Sequence, residues 1–311
     1  MADIRNPCVA DQFYKGNPDQ LKVQVQDLFE SGPGLPKTKK WSQTITGGIV
    51  PHAGYKYSGK IATYFYKELA ETYLTNKRFE LMSNSDRIRE LNTVILIGPE
   101  HAGQKPNASV YSKGNWLTPL GRVEIDTELA KTLIDGAFFK EDSLAHRDEH
   151  CLEVQLPFLQ FLFKEEMPQI LPIVFSIPFE IEICRKYGQK LAEVIKNSKK
   201  EIILLASSDL THYGLNYNYI PFHGTDVENR MNINKLDKGA IKYIENLDAP
   251  GFIRYVKETK ATICGKVAIA VQLFALKELG TNRGELLKYT ASGDITKDWR
   301  NSVSYASIKF E

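Results

Sequence analysis

Val50-Pro51-His52-Ala53-Gly54-Tyr55-Lys56-Tyr57-Ser58-Gly59 is the stretch from which the fold unfolds. The apolar pair Ile49-Val50 stops at a proline and an imidazole follows at once. Beyond two glycines and two tyrosines, residues 60–66 take up helical spacing. A strand ends, delivers a histidine into a turn and gives way to a helix. Open α/β sheets bind ligands in the crevice outside the carboxyl ends of their strands. The question is whether other strands end in matching chemistry.

Working outward, Asn92-Thr93-Val94-Ile95-Leu96-Ile97 is near-continuously apolar, as a strand covered on both faces should be. It ends in Gly98-Pro99-Glu100-His101. Residues 170–176 and 201–206 read the same way, the second followed by Ser207-Ser208-Asp209-Leu210-Thr211-His212-Tyr213. Helical periodicity covers 18–30, 59–73, 127–138, 183–195, 235–246 and 251–257. The run 266–279 is apolar on nearly every face, which predicts a central, buried helix. Asn17-Pro18 suits the first helix start, and Leu21, Val23, Val25, Leu28 and Phe29 form its apolar set. Pro157 argues that a helix over 152–163 starts late or kinks. Residues 75–90 read as a polar surface excursion, and the aperiodic, aromatic stretch 214–233 as a candidate lid. Strands near 286–291 and 303–310 close the pattern. Strands alternating with helices predict an α/β fold. We expect a single domain over 1–311, with a largely parallel or mixed central sheet covered by helices on both faces.

Forty basic against 38 acidic side chains leave a net charge of +2, so no global field draws the chain to nucleic acid or an anionic membrane. No window approaches the roughly 20 apolar residues that cross a bilayer. The start of the sequence lacks the apolar core of a secretory signal. Four scattered cysteines, without a CxxC pair, argue against a zinc knuckle or a disulfide framework and for a cytoplasmic protein.

Of six histidines, His52, His101, His150 and His212 stand in predicted loops beside glycine, proline, serine or carboxylates. A lone histidine is more often a satisfied structural residue than a ligand. His52 and His101 differ because both follow buried strands, and parallel strands bring their ends together. Imidazole is the commonest metal ligand, and two leave room for a third group. No HxH, HxxxH or HExxH spacing exists, so any metal site is assembled across distant segments. Thr262 reads as the N-cap of the 266–279 helix, which would place Cys264 in its first turn and lower its thiol pKa. Cys8 and Cys184 read as inert buried cysteines. Asp209 with His212, and Glu149 with His150, are carboxylate–imidazole pairs suited to acid–base work or to orienting metal-bound imidazoles. The nucleophile elbow GxSxG is absent, since Ala206 and Leu210 occupy the glycine positions around Ser208. No GxGxxG or GK[ST] phosphate loop exists.

Pro51-His52-Ala53-Gly54-Tyr55, Gly98-Pro99-Glu100-His101, Asp148-Glu149-His150 with Glu153 and Leu156-Pro157, Ser207-Ser208-Asp209 with His212, Thr262-Ile263-Cys264-Gly265 and Ser302-Val303-Ser304-Tyr305-Ala306 resemble, in order, the successive blocks of the Memo family. That family is similar in fold to class III (LigB-like) extradiol dioxygenases, which hold non-haem iron with two histidines and a glutamate. The resemblance implies a metal trio of His52, His101 and Cys264 for iron (Fe2+), with copper or zinc as alternatives, and a redox, oxidoreductase-like role on an unknown substrate. His150, Asp209 and His212 would be the acid–base groups, with Tyr55, Glu149, Glu153 and Ser208 around the pocket. It also suggests a link to a radical-SAM protein. A thiolate in place of the glutamate is softer and itself oxidisable, so ring cleavage does not follow from the likeness. Asp11 stands where the family usually has glycine, and Val267-Ala268 replace a proline-containing segment. Two rival readings use the same residues. A non-catalytic adaptor would bind a small molecule or peptide against Tyr55, Tyr57, Tyr213, Tyr217 and Tyr219. A nucleophilic enzyme would pair Cys264 with His150 or His212.

Overall fold

The computed structural model describes residues 4–37, 45–73, 90–101, 107–134 and 138–311. The excursion expected over 75–90 lies outside them, save Glu90. The strands are β1 (Ile4–Arg5), β2 (Gly47–Val50), β3 (Leu91–Pro99), β4 (Ala108–Val110), β5 (Asn115–Thr118), β6 (Gly121–Glu124), β7 (Lys140–Glu141), β8 (Gln169–Phe175), β9 (Glu201–Ser207), β10 (His212–Gly214), β11 (Gly284–Ala291) and β12 (Asn301–Phe310). The helices are α1 (Pro18–Glu30), α2 (Gly59–Tyr73), α3 (Thr127–Ile134), α4 (Leu144–Arg147), α5 (Leu156–Phe163), α6 (Ile181–Asn197), α7 (Asp226–Glu245), α8 (Ala249–Thr259), α9 (Lys266–Glu278) and α10 (Ser292–Thr296).

The main sheet runs β10-β12-β2-β9-β3-β8-β4-β7, with β11 also on β12. Its centre, β2-β9-β3-β8, is parallel, while β12 joins β2 and β4 joins β8 antiparallel. The sheet is therefore mixed, with a parallel heart. Side chains alternate across the strands as the pleat requires. Ile95, Ile97, Leu204 and Ala206 pack with α3, α6, α7, α8 and α9. Val94, Leu96, Ile203 and Leu205 pack with α1, α2 and α5 on the other face. Both faces are covered, which is why these strands carry no polar stripe.

Local chemistry explains the elements. Asn17 Oδ1 accepts the N–H groups of Asp19 and Gln20, at 3.1 Å each, to open α1. That helix buries Leu21, Val25 and Phe29, whereas Val23 of the expected apolar set is exposed. Pro157 sits in the first turn of α5, where no N–H is needed, so the helix starts late as expected. Residues 268–276 of α9 are buried without a break, in line with its all-round apolarity. The candidate lid is mostly regular structure: β10, a 3-10 turn at Leu215–Tyr217, and the first turns of α7. Helix α7 begins at Asp226, ahead of the expected 235, because Thr225 and Glu228 form a capping box. Glu228 N–H donates to Thr225 Oγ1 at 3.3 Å, and Thr225 N–H to Glu228 Oε2 at 2.8 Å.

Candidate metal centre

Strand β9 lies between β2 and β3, and all three end on the same edge of the parallel core. His52 follows the end of β2, His101 follows β3, and Ser207, the last residue of β9, leads into Ser208 and Asp209. The two imidazoles lean toward each other, ring centroids 5.3 Å apart and planes at 89°. His150 arrives from the segment before α5. Its ring stacks on His101 at 4.9 Å and stands 5.6 Å from His52. Gly98 makes room for this segment, since a Cβ there would lie 2.7 Å from Cys151 Sγ. One nitrogen from each of His52, His101 and His150 lies within 4.8 Å of the others, a cluster that could hold a metal ion.

Each imidazole is held from behind. His52 N–H donates to Asp209 Oδ1 at 2.8 Å, and His52 Nδ1 stands 3.0 Å from Ser207 Oγ. Glu149 faces His101, with His101 N–H donating to Oε2 at 2.7 Å and Nδ1 at 3.0 Å from Oε1. His150 Nδ1 is 3.5 Å from the same Oε1, and Phe13 meets its ring edge-on at 4.8 Å. Burial pulls the pKa of His52 well below the usual imidazole range, helped by the neighbouring imidazoles. Burial lowers His150 too. At His101 burial also works downward, but the hydrogen bond and charge of Glu149 outweigh it and the pKa rises. For Glu149 burial opposes ionisation, yet the bonds from the His101 ring and from the His101 and Cys151 N–H groups hold it far below the carboxylate range. Neutral imidazoles with Nδ1 tied to an acceptor keep Nε2 for a metal, and such backing partners fix ligand orientation. The donor set fits a transition metal.

Cys264 Sγ lies 3.1 Å from His52 Nε2 and accepts Asp209 N–H at 3.3 Å. Among the described residues the mutual cluster is the three histidines, so His150, expected as an acid–base group, joins His52 and His101 directly, while Cys264 adjoins through His52. Two expectations about Cys264 are overturned. Gly265, rather than Thr262, is the N-cap of α9, so Cys264 precedes the helix. Thr262 Oγ1 instead accepts His212 N–H at 3.0 Å and donates to His212 O at 2.6 Å. Burial, followed by the Asp209 charge, pushes the Cys264 thiol up, the reverse of the expected lowering. A thiolate–imidazolium pair therefore has no electrostatic support here, since His52 beside it is held neutral.

A cavity of about 570 Å³ opens over the cluster, lined by the three histidines, Asp209 and His212, with Phe13, Tyr57, Tyr217 and Tyr305 as aromatic walls. His212 Nδ1 lies 3.0 Å from both Leu210 O and Thr262 O, so Nδ1 carries the proton and Nε2 is the basic nitrogen. Asp209 is buried, and that burial raises its pKa. Other expected pocket residues lie elsewhere. Tyr55 is buried, donates its hydroxyl to Val154 O at 2.7 Å and stacks on Phe158. Tyr213 and Tyr219 are buried and donate to Phe222 O and Thr259 O. Ser208 Oγ donates to Asp209 O at 2.7 Å and accepts Gly265 N–H at 3.0 Å, which ties the Cys264 turn to β9. Gly265 is required there, because a Cβ would stand 2.5 Å from Ser208 Cβ.

Glu153 is a buried clamp rather than a pocket residue. It accepts from Arg5 Nη1 and Tyr14 Oη, both at 2.6 Å, and from the N–H groups of Cys8 and Val9 at 2.8 and 3.1 Å. That clamp anchors residues 5–14 and so sets Phe13 against His150. Asp11, in the same segment, has φ of 62°, a left-handed conformation that glycine adopts freely; its Oδ1 accepts Gly16 N–H at 2.7 Å. Sequence reasoning missed Arg5 and Gln155, which carried no motif.

A family model described as Memo-like protein matches residues 5–309. A MEMO1 family protein of Methanopyrus kandleri is 34% identical over 310 residues, covering 98% of each chain. One from Methanosarcina barkeri is 35% identical over 308 residues, covering 99% of this chain and 100% of the relative. Among solved structures, an uncharacterized protein from Escherichia coli K12 aligns with a TM-score of 0.47 at 13% identity, over 86% of this chain and 99% of that one. By the family match and these full-length relatives, the chain belongs to the Memo family.

Proposed function

We propose that the cluster holds a transition metal, iron(II) in the first place with copper as the redox-capable alternative and zinc as a redox-inert one, and serves an oxidoreductase-like reaction on a small molecule or peptide. The observation that carries this reading is the convergence of three imidazoles, two with Nδ1 backed by Ser207 or Glu149. His52 and His101 belong to the set in either arrangement, and Cys264 or His150 completes it. When bound, such a metal supplies Lewis acidity and electron transfer. The chain's own residues do the rest. Glu149 and Ser207 orient the ligands, the aromatic walls restrict water, and His212 Nε2 accepts a proton from a bound substrate. We place the chain in the cytoplasm, where its scattered cysteines would stay reduced. A radical-SAM protein is the partner that the family suggests.

Anaerobic purification with metal analysis tests this. Wild type should carry close to one iron per chain, His52→Ala and His101→Ala should lose it, and Cys264→Ser should bind more weakly. Retention of wild-type metal by both alanine variants would refute the site. The aromatic cavity walls favour one second reading, a ligand-binding adaptor. Peptide binding that survives chelation and the His101→Ala change would support it.

A further inference from the structure

Behind His52 lies a chain of buried polar groups in which every donor can be assigned. Gln155 and Ser207 are wholly buried, and His52 is 2% exposed, so their hydrogen bonds must close within the protein. Gln155 Nε2 faces Pro51 O at 3.0 Å, Cys151 O at 3.4 Å and Ser207 Oγ at 2.9 Å. Its Oε1 accepts the Tyr66 hydroxyl at 2.8 Å. The amide has only this orientation, because a flip would set its oxygen against two carbonyls. Ser207 has one proton, and its 2.6 Å approach to Cys151 O requires that proton to lie between them. Toward Gln155 and His52, Ser207 Oγ is therefore an acceptor. His52 Nδ1, 3.0 Å away, must donate.

We infer that Gln155 is a positioning residue: acting through the Ser207 hydroxyl, it admits only the Nδ1–H tautomer of His52 and keeps Nε2 bare. This deepens the metal-site reading and rests on it for one consequence, metal affinity. The wiring differs from that of His101. A charged Glu149 would accept a proton from His101 in either charge state. The hydroxyl behind His52 is neutral and has spent its proton on a backbone carbonyl, so it selects a tautomer without favouring imidazolium. Gln155 makes the selection strict. Without the Gln155 N–H to hold its oxygen, the serine side chain, still donating to Cys151 O, would swing out of reach of His52 Nδ1 and leave both tautomers open.

The test is two-bond 1H–15N correlation on metal-free protein labelled at histidine, paired with Co2+ titration. Wild-type His52 should show protonated Nδ1 and bare Nε2 as one species. Ser207→Ala and Gln155→Leu should give a mixture or the opposite tautomer and weaken Co2+ binding about 10- to 100-fold, the usual cost of losing an outer partner. Ser207→Thr, which keeps the hydroxyl, should restore both. A mixed tautomer in wild type would overturn the inference. So would an unchanged single Nδ1–H tautomer in both variants, even with lowered thermal stability, because Gln155 would then be structural only. If wild type shows the expected tautomer but takes up no Co2+, the metal reading fails and the tautomer assignment stands.

Discussion

Replacing Glu153 by glutamine takes the charge out of an ion pair whose side chains are 2% and 0% exposed. The carboxylate accepts four hydrogen bonds, two on each oxygen. An amide keeps one oxygen and turns the other into a donor, so one pair of donors meets N–H instead of a lone pair. The Arg5 guanidinium stays behind, fixed by His146 O and Glu149 O at 2.7 Å each and lying 4.2 Å over Trp116. Breaking one side of a buried pair costs roughly 3–5 kcal/mol, a large share of the ~5–15 kcal/mol that holds a domain folded. Urea unfolding reads this as a lower midpoint at unchanged slope. A companion Arg5→Met/Glu153→Gln protein should recover part of the loss, because the guanidinium is then no longer buried without its counter-charge while an acceptor remains for the other donors. The pH dependence has a definite sign. Burial opposes ionisation of Glu153, but Arg5 and the Cys8 and Tyr14 hydrogen bonds lower its pKa on balance. Its stabilisation is therefore present above the ordinary carboxylate pKa of about 4.3 and is lost as pH falls through the lower folded value. A Glu153→Gln protein within about 0.5 kcal/mol of wild type at neutral pH, the range of a surface change, would refute the clamp.

Two further outcomes follow from the same geometry. Burial pushes His146 down to about 4. Because the unfolded imidazole titrates near 6.5, stability should be full above that pH and fall by roughly 3 kcal/mol toward pH 4. Urea midpoints from neutral to mildly acid pH should give a shallower slope for His146→Phe than for wild type, and equal slopes would disprove the assignment. Gly265→Ala drives a methyl into Ser208 and should cost about 1–3 kcal/mol. It should also weaken Co2+ binding by displacing Cys264, so normal affinity together with normal stability would sink that account.

The parallel heart was legible because β3, β8 and β9 are apolar on both faces and their runs are too short for helices. His52 and His101 were legible because each follows such a run. His150 was harder to place. Its nearness to them depends on how residues 146–153 fold across β3 over Gly98, a packing fact with no local signature. The start of α7 was readable, since Thr225 and Glu228 carry the capping-box spacing, but the aromatic residues before it suggested a loop. The thiol of Cys264 was misjudged because burial, which outweighs a nearby helix end, is not written in the local sequence. Gln155 looked like any glutamine in a helical run; only the neighbours brought by β2 and β9 give it a task.

The position of β9 between β2 and β3 also sets a timetable. His52 meets Cys264 across 212 positions of sequence, and β2 is flanked by β9 and β12, both made much later. At ribosomal rates of about 5–20 residues per second, His52 waits roughly 10–40 s for that cysteine. Until β9 emerges its strand lacks both partners and presents two unpaired edges, a hazard for mispairing with other chains. The nascent protein therefore carries its histidines early but gathers them only once β9, the strand between β2 and β3, has been made. Contact between Cys264 and His52 thereby reports that β9 and the turn before α9 are already in place.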